Sequence, residues 1–133
     1  MTWTFYDYLG PSGRNAIRDW IENQPAGTRQ RLKARLNTLV AELQNVLEPQ
    51  FDRRHNVGQL RGPCAGLYEL TLKIDRIQFR PIGVYGPEQH EFTLLAGAEE
   101  RDGQLRPDGV CETAHERSGH IRERNRICLH RFD

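Results

Sequence analysis

The sequence contains no apolar run approaching the roughly 20 residues a helix needs to cross a bilayer, and its mean hydropathy is −0.74. A membrane-spanning helix is therefore not expected. Met1 to Gly10 lacks the basic start and apolar stretch of a secretory signal, which makes the cytoplasm the expected location. Lysine is nearly absent: of 19 basic residues only Lys33 and Lys73 are lysine, and the rest are arginine. Arginine's planar fork pairs well with phosphate, so the bias suits a nucleic-acid partner; biased coding composition is the plain alternative. A net charge of only +1 argues against a broadly basic DNA-coating protein, so any nucleic-acid site has to be a local patch. Cysteine is scarce and odd in number, and Cys64, Cys111 and Cys128 make no paired framework, so free thiols are expected. Cys111, His115, His120, Cys128 and His130 crowd the C-terminal part, but no Cys-x-x-Cys occurs and their intervals match no common zinc finger. Scattered surface side chains are the simpler reading, with no metal and no cofactor expected.

What remains is enough for one core. A chain of 133 residues reads as a single domain, 1–133. Trp3 to Tyr8 is aromatic and partly alternating, as in a short strand. Gly10-Pro11-Ser12-Gly13 breaks it, and Ser12 or Gly13 can cap a helix whose inner face is Ala16, Ile17, Trp20 and Ile21, closed by Pro25 and Gly27. From about Ala26 to Leu47, the residues Leu32, Leu36, Leu39, Val40 and Leu43 form a continuous helical stripe, and Pro49 ends it. Gln50 to Val57 reads as a polar connection. The period then changes. Leu67 to Ile74 alternates, Asp75-Arg76 turns, Ile77 to Tyr85 forms a second strand, Gly86-Pro87-Glu88 turns, and Phe92 to Ala96 forms a third. This spacing predicts an antiparallel meander, with Pro81 requiring a bulge or an open side because it donates no ladder bond. Glu99 to Gly109 reads as a loop, and Val110 to Ile121 as a helix with Val110, Ala114 and Ile121 inward. The segment 122–133 is either an edge strand around Ile127-Cys128-Leu129 or a mobile tail. The expected class is α+β: an N-terminal strand and two helices packed on an antiparallel sheet, with a C-terminal helix.

Three stretches carry a family resemblance. Gln59-Leu60-Arg61-Gly62 followed by Gly66-Leu67-Tyr68-Glu69-Leu70 resembles the start of the sheet in toxins of the RelE/ParE superfamily. Phe79-Arg80 leading to Val84-Tyr85 resembles their aromatic–arginine strand. Leu94 to Ala98 followed by Glu99-Glu100-Arg101 resembles the segment where relatives of the HigB-like, phage-derived branch carry a histidine, a phenylalanine and paired lysines. Arg18-Asp19-Trp20-Ile21 also fits the first helix of that branch. The resemblance spans about Trp3 to Ile121 and implies a RelE-like fold.

It also implies a function. Active relatives cleave mRNA on the ribosome, through attack of a 2′-hydroxyl on the neighbouring phosphate, without metal or cofactor. Such a site must orient the phosphate, move two protons and neutralise charge. By resemblance, Arg61 binds substrate phosphate, Arg80 stabilises transition-state charge, and Arg101 occupies the second basic position. For Arg80 an ion pair with Glu69 across the hairpin is the structural alternative. Glu99, Glu100 and His115 are the acid–base candidates. Glu100 stands where the first of the paired lysines is expected, and Ala96 and Ala98 replace the histidine and phenylalanine. The implied function is the toxin of a type II toxin–antitoxin pair, a metal-independent endoribonuclease whose partners are a cognate antitoxin and mRNA on the ribosome. The alternative is a non-catalytic binding protein on the same scaffold, either a ParE-like gyrase inhibitor or a degenerate phage-derived relic.

Overall fold

The computed structural model describes residues 2–46 and 56–131. The class is α+β, with three α-helices and two sheets among the described residues. Strand β1 is Thr4–Tyr8, helix α1 Ala16–Glu22 and helix α2 Ala26–Val46. Strands β2 to β7 follow as Val57–Gln59, Tyr68–Leu70, Leu72–Ile74, Ile77–Phe79, Ile82–Tyr85 and Glu91–Ala96. Strands β8 (Glu99–Arg101) and β9 (Gln104–Arg106), helix α3 (Val110–Ser118) and strand β10 (Ile127–Leu129) complete the order.

Two of the three expected meander strands are divided, and both divide at one level. The run from Leu67 breaks at Thr71, so β3 joins the main sheet and β4 a second one. The next breaks at Arg80-Pro81, where the missing proline N–H stops the ladder, while the Pro81 carbonyl still accepts from Leu70 N–H at 2.9 Å. The third is unbroken as β7, and Gly97-Ala98 beyond it leads into β8 of the second sheet. The main sheet runs β10-β1-β7-β6-β3-β2 and the second β4-β5-β8-β9. The second sheet is antiparallel, but the main sheet is not wholly so: β1 lies parallel to β7 and antiparallel to β10. One further expectation is corrected: Glu99 to Gly109 is largely the β8–β9 hairpin, turning at Asp102-Gly103, both with positive φ. Of the two readings of the C-terminal segment, the edge strand is the one observed, since Ile127–Leu129 pairs with β1 as β10. The expectations for Leu47, Pro49 and most of Gln50 to Val57 lie outside the described residues, and Val57 itself begins β2.

Strand β7 is apolar along nearly its whole length because both its faces are covered. Phe92 and Leu94 join Phe5 and the buried faces of α1 and α2, namely Ile17, Ile21, Leu32, Leu36, Leu39, Val40 and Leu43. Leu95 and Ala96 meet Val110 and Ala114 of α3, with Ile121 beyond it.

Neither Ser12 nor Gly13 caps α1. Asn15 does, its side-chain oxygen accepting from Ile17 and Arg18 N–H at 2.9 Å each. Its amide nitrogen donates to the carboxylate of the fully buried Asp7 at 3.0 Å. Asp7 also meets His130 Nδ1 at 2.8 Å, and His130 Nε2 faces Asn37 Oδ1 at 3.1 Å. One buried polar node therefore ties β1, α1, α2 and the segment after β10 together, its groups satisfied as burial requires.

Candidate functional site

Arg80 sits at the bend between β5 and β6, fixed by a bond from its own N–H to the Ala98 carbonyl at 2.8 Å. Its side chain is 12% exposed, so it is not an arginine displayed on the sheet surface. It donates to the Phe79 carbonyl and to Gln78 Oε1 at 3.0 Å each. Glu69 lies 3.6 Å from Nε and Glu100 3.8 Å from Nη2. The cross-hairpin pairing with Glu69 is thus present, and Glu100 joins it.

Glu69 is the residue that sequence reasoning undervalued, treating it only as a partner for Arg80. Its Oε2 is buried and accepts no hydrogen bond. Burial pushes its carboxyl above the usual range and the Glu100 charge adds to this, while Arg80 pulls the other way. The signal available in the sequence was a glutamate in the middle of a short apolar strand, facing a strand arginine.

Strand alternation separates the other candidates. Glu99 and Arg101 share one face of β8, where Arg101 grips Glu99 Oε2 through Nε and Nη2 at 3.2 and 3.0 Å. Glu100 points to the opposite face, towards Arg80. Arg80 and Arg101 are therefore not brought together. Leu105 pairs with Glu100 across the β8–β9 ladder and so shares its face. Leu105 lines a groove of about 480 Å³ that reaches Arg61, Pro63 and the start of α3. Arg61 is exposed in extended backbone ahead of a 3₁₀ turn at Gly62–Cys64. His115, exposed on α3, has Nε2 3.0 Å from the Pro63 carbonyl; a carbonyl only accepts, so that nitrogen carries its proton there. Arg61, Arg80, Glu69 and Glu100 thus border one side of the sheet, with His115 beyond the far rim.

The same groove wall corrects the thiol expectation. Cys64 and Cys111 form a disulfide, with Cα atoms 4.9 Å apart, because the 3₁₀ turn packs on α3. Cys128 is the free cysteine. Among the described residues no three His, Cys, Asp or Glu side chains are grouped to hold a metal ion. His120 and His130, raised as ligands, are instead bonded to Tyr8 and Asp7. Among the described residues no helix is long and apolar enough to cross a membrane.

Comparison with protein-family models, with curated proteins and with solved structures finds no match.

Proposed function

We propose that this protein is a toxin of the RelE/HigB type, a metal-independent endoribonuclease acting on mRNA at the ribosome and restrained by a cognate antitoxin. The observation that carries this reading is the Glu69–Arg80–Glu100 cluster beside the Arg61 groove. The element order of strand, two helices, meander and helix supports it as well. Arg61 at the groove rim suits a flanking phosphate, and Arg80 the charge that develops on the scissile one. Glu100, the more open carboxylate, is placed to take the 2′-hydroxyl proton. Glu69, whose carboxyl burial keeps protonated to higher pH, is suited to return a proton to the leaving 5′-oxygen. Arg101 and His115 stand outside this set. The reading implies a cytoplasmic location, and the Cys64–Cys111 disulfide is the observation that runs against it, because disulfides are rare in that compartment.

A second reading, binding without cleavage, draws on one observation: Arg80 is already engaged by two carboxylates, a carbonyl and Gln78. An incoming phosphate has to displace acids of its own sign. Purified protein added to translating ribosomes separates the two. Truncated message that disappears with Arg80→Lys and with Glu100→Gln supports the nuclease; intact message with supercoiling inhibition supports a ParE-like binder. Arg80→Lys keeps the charge beside Glu69 and loses only the fork, so loss of cleavage in a folded variant is a site effect. On expression in cells, growth arrest relieved by a neighbouring small protein is expected.

A further inference from the structure

At the C-terminal end of α3, Tyr8 meets two arginines that have no ion-pair partner among the described residues. The Cζ atoms of Arg117 and Arg126 each lie 5.2 Å from the Tyr8 ring centroid. Both are held in place by backbone: Arg117 Nη1 donates to the Leu95 carbonyl at 2.8 Å, and Arg126 Nε to the Leu9 carbonyl at 3.1 Å. Each guanidinium keeps further N–H groups uncommitted. Arg14, Arg80, Arg101, Arg106 and Arg124 all have a carboxylate within ion-pair distance. Among the described residues Arg117 and Arg126 have none.

The third donor follows from proton bookkeeping. Arg126 donates to the Tyr8 hydroxyl oxygen, so that hydroxyl directs its own proton to His120 Nδ1, 2.9 Å away. Arg126 Nη2 lies 3.2 Å from the same nitrogen, which again requires Nδ1 to accept. The ring proton of His120 is therefore on Nε2, available as a donor. These groups line an open cavity of about 260 Å³ whose one acidic lining residue is Glu116. Two fixed guanidinium groups and an imidazole N–H are a donor set for a tetrahedral oxyanion, and their mutual repulsion falls when an anion sits between them. A second basin of about 360 Å³ shares Thr113 and Arg117 with this cavity and contains the half-buried indole of Trp20. An anion site joined to an aromatic face matches the phosphate and base of a nucleotide.

We propose that the Arg117–His120–Arg126 cavity is a docking site for a phosphodiester of single-stranded RNA, with the attached base directed towards Trp20. It rests on the RNA-directed reading above and is distinct from the Arg80 cluster, since neither its cavity nor the Trp20 basin is lined by Glu69, Arg80 or Glu100.

The test uses octauridylate and inorganic phosphate as probes. In NMR titrations, octauridylate shifts the Nε–H signals of Arg117 and Arg126 and the Trp20 indole N–H, while inorganic phosphate shifts the arginine signals alone. In fluorescence anisotropy, Arg117→Gln weakens octauridylate binding by about tenfold or more, the scale of one charge-assisted hydrogen bond. Arg126→Gln does the same where it folds; Arg117→Gln, whose guanidinium makes one backbone bond, is the variant that decides if it does not. Undiminished octauridylate affinity in folded Arg117→Gln overturns the proposal, as does a phosphate response with no octauridylate response. RNA bound here while ribosomal message stays uncut removes the nuclease reading and keeps this site. Message cut normally, with RNA affinity unaltered in Arg117→Gln, does the reverse.

Discussion

The indole of Trp20 lies flat against the α-carbon of Gly97: a Cβ built on Gly97 falls 1.8 Å from Trp20 Cδ2 and 2.1 Å from Cγ. This contact lets α1 lie close on the sheet where β7 bends into β8. Trp20 is further braced by the Phe79 ring, edge-on at a centroid distance of 5.8 Å. Gly97→Ala has to push a rigid bicycle out of its seat rather than swing aside a flexible chain. A loss of about 1–3 kcal/mol, the usual scale of overpacking, is expected in urea denaturation. Trp20→Leu on the Gly97→Ala background should recover part of it; no recovery would show that the strain lies elsewhere.

Glu69 makes stability depend on pH in an identifiable direction. Its carboxyl is raised in the folded state, chiefly by burial, so the folded protein holds that proton more firmly than the unfolded chain does. Its contribution is therefore full below the unfolded value and is lost as pH rises through the folded one. Glu69→Gln should flatten this limb of the stability profile above about pH 4.5, the ordinary starting point for a glutamate. A profile identical to the parent's in that range counts against a raised Glu69.

The disulfide joins residues 47 apart. Reduction, or Cys64→Ser with Cys111→Ser, should lower stability by about 2–4 kcal/mol through the freed unfolded chain. Chemical labelling of the native oxidised protein should find one thiol, Cys128, and find it sluggish, because burial and then the Asp7 charge push that thiol up. Three rapidly labelled thiols in non-reducing buffer would contradict the pairing.

Asn15 has to be an asparagine rather than merely a good cap. Its oxygen receives two helix N–H groups while its nitrogen donates to Asp7. Asn15→Asp preserves the cap and places a second carboxylate against a fully buried one. Destabilisation of about 2 kcal/mol or more at neutral pH, easing as the pH falls, is the expected result. Asn15→Ser, which keeps a capping oxygen and brings no charge, should cost less.

Much of the fold was readable because local pattern and tertiary burial agree. The Leu32-to-Leu43 stripe is buried as its period requires, and Val110, Ala114 and Ile121 face inward. What escaped depends on contacts remote in sequence. Leu67 to Ile74 alternates without interruption, and nothing local says that Thr71 divides it between two sheets. The β8–β9 hairpin looked like a loop because its residues are polar, although Asp102-Gly103 is a familiar hairpin turn. Cys64 and Cys111 meet only once the 3₁₀ turn is laid against α3. The site was readable in the same uneven way. Glu69 facing Arg80 could be argued from hairpin geometry. The split of Arg101 from Arg80 required knowing the face of β8, and the Tyr8 cavity joins residues more than a hundred positions apart.

The neighbours of β1 carry a consequence for synthesis. Both strands that flank it, β7 and β10, are made after it, the first beginning at Glu91 and the second at Ile127. At about 5–20 residues per second, the aromatic strand waits on the order of 5–20 s for its first backbone partner. During that time Phe5 and Tyr8 have no strand alongside them and can shelter only against α1, α2 and the partly formed β2 to β6. The nascent chain is thus a natural client for holding chaperones, and a message truncated before β7 yields a polypeptide whose first strand never finds a mate.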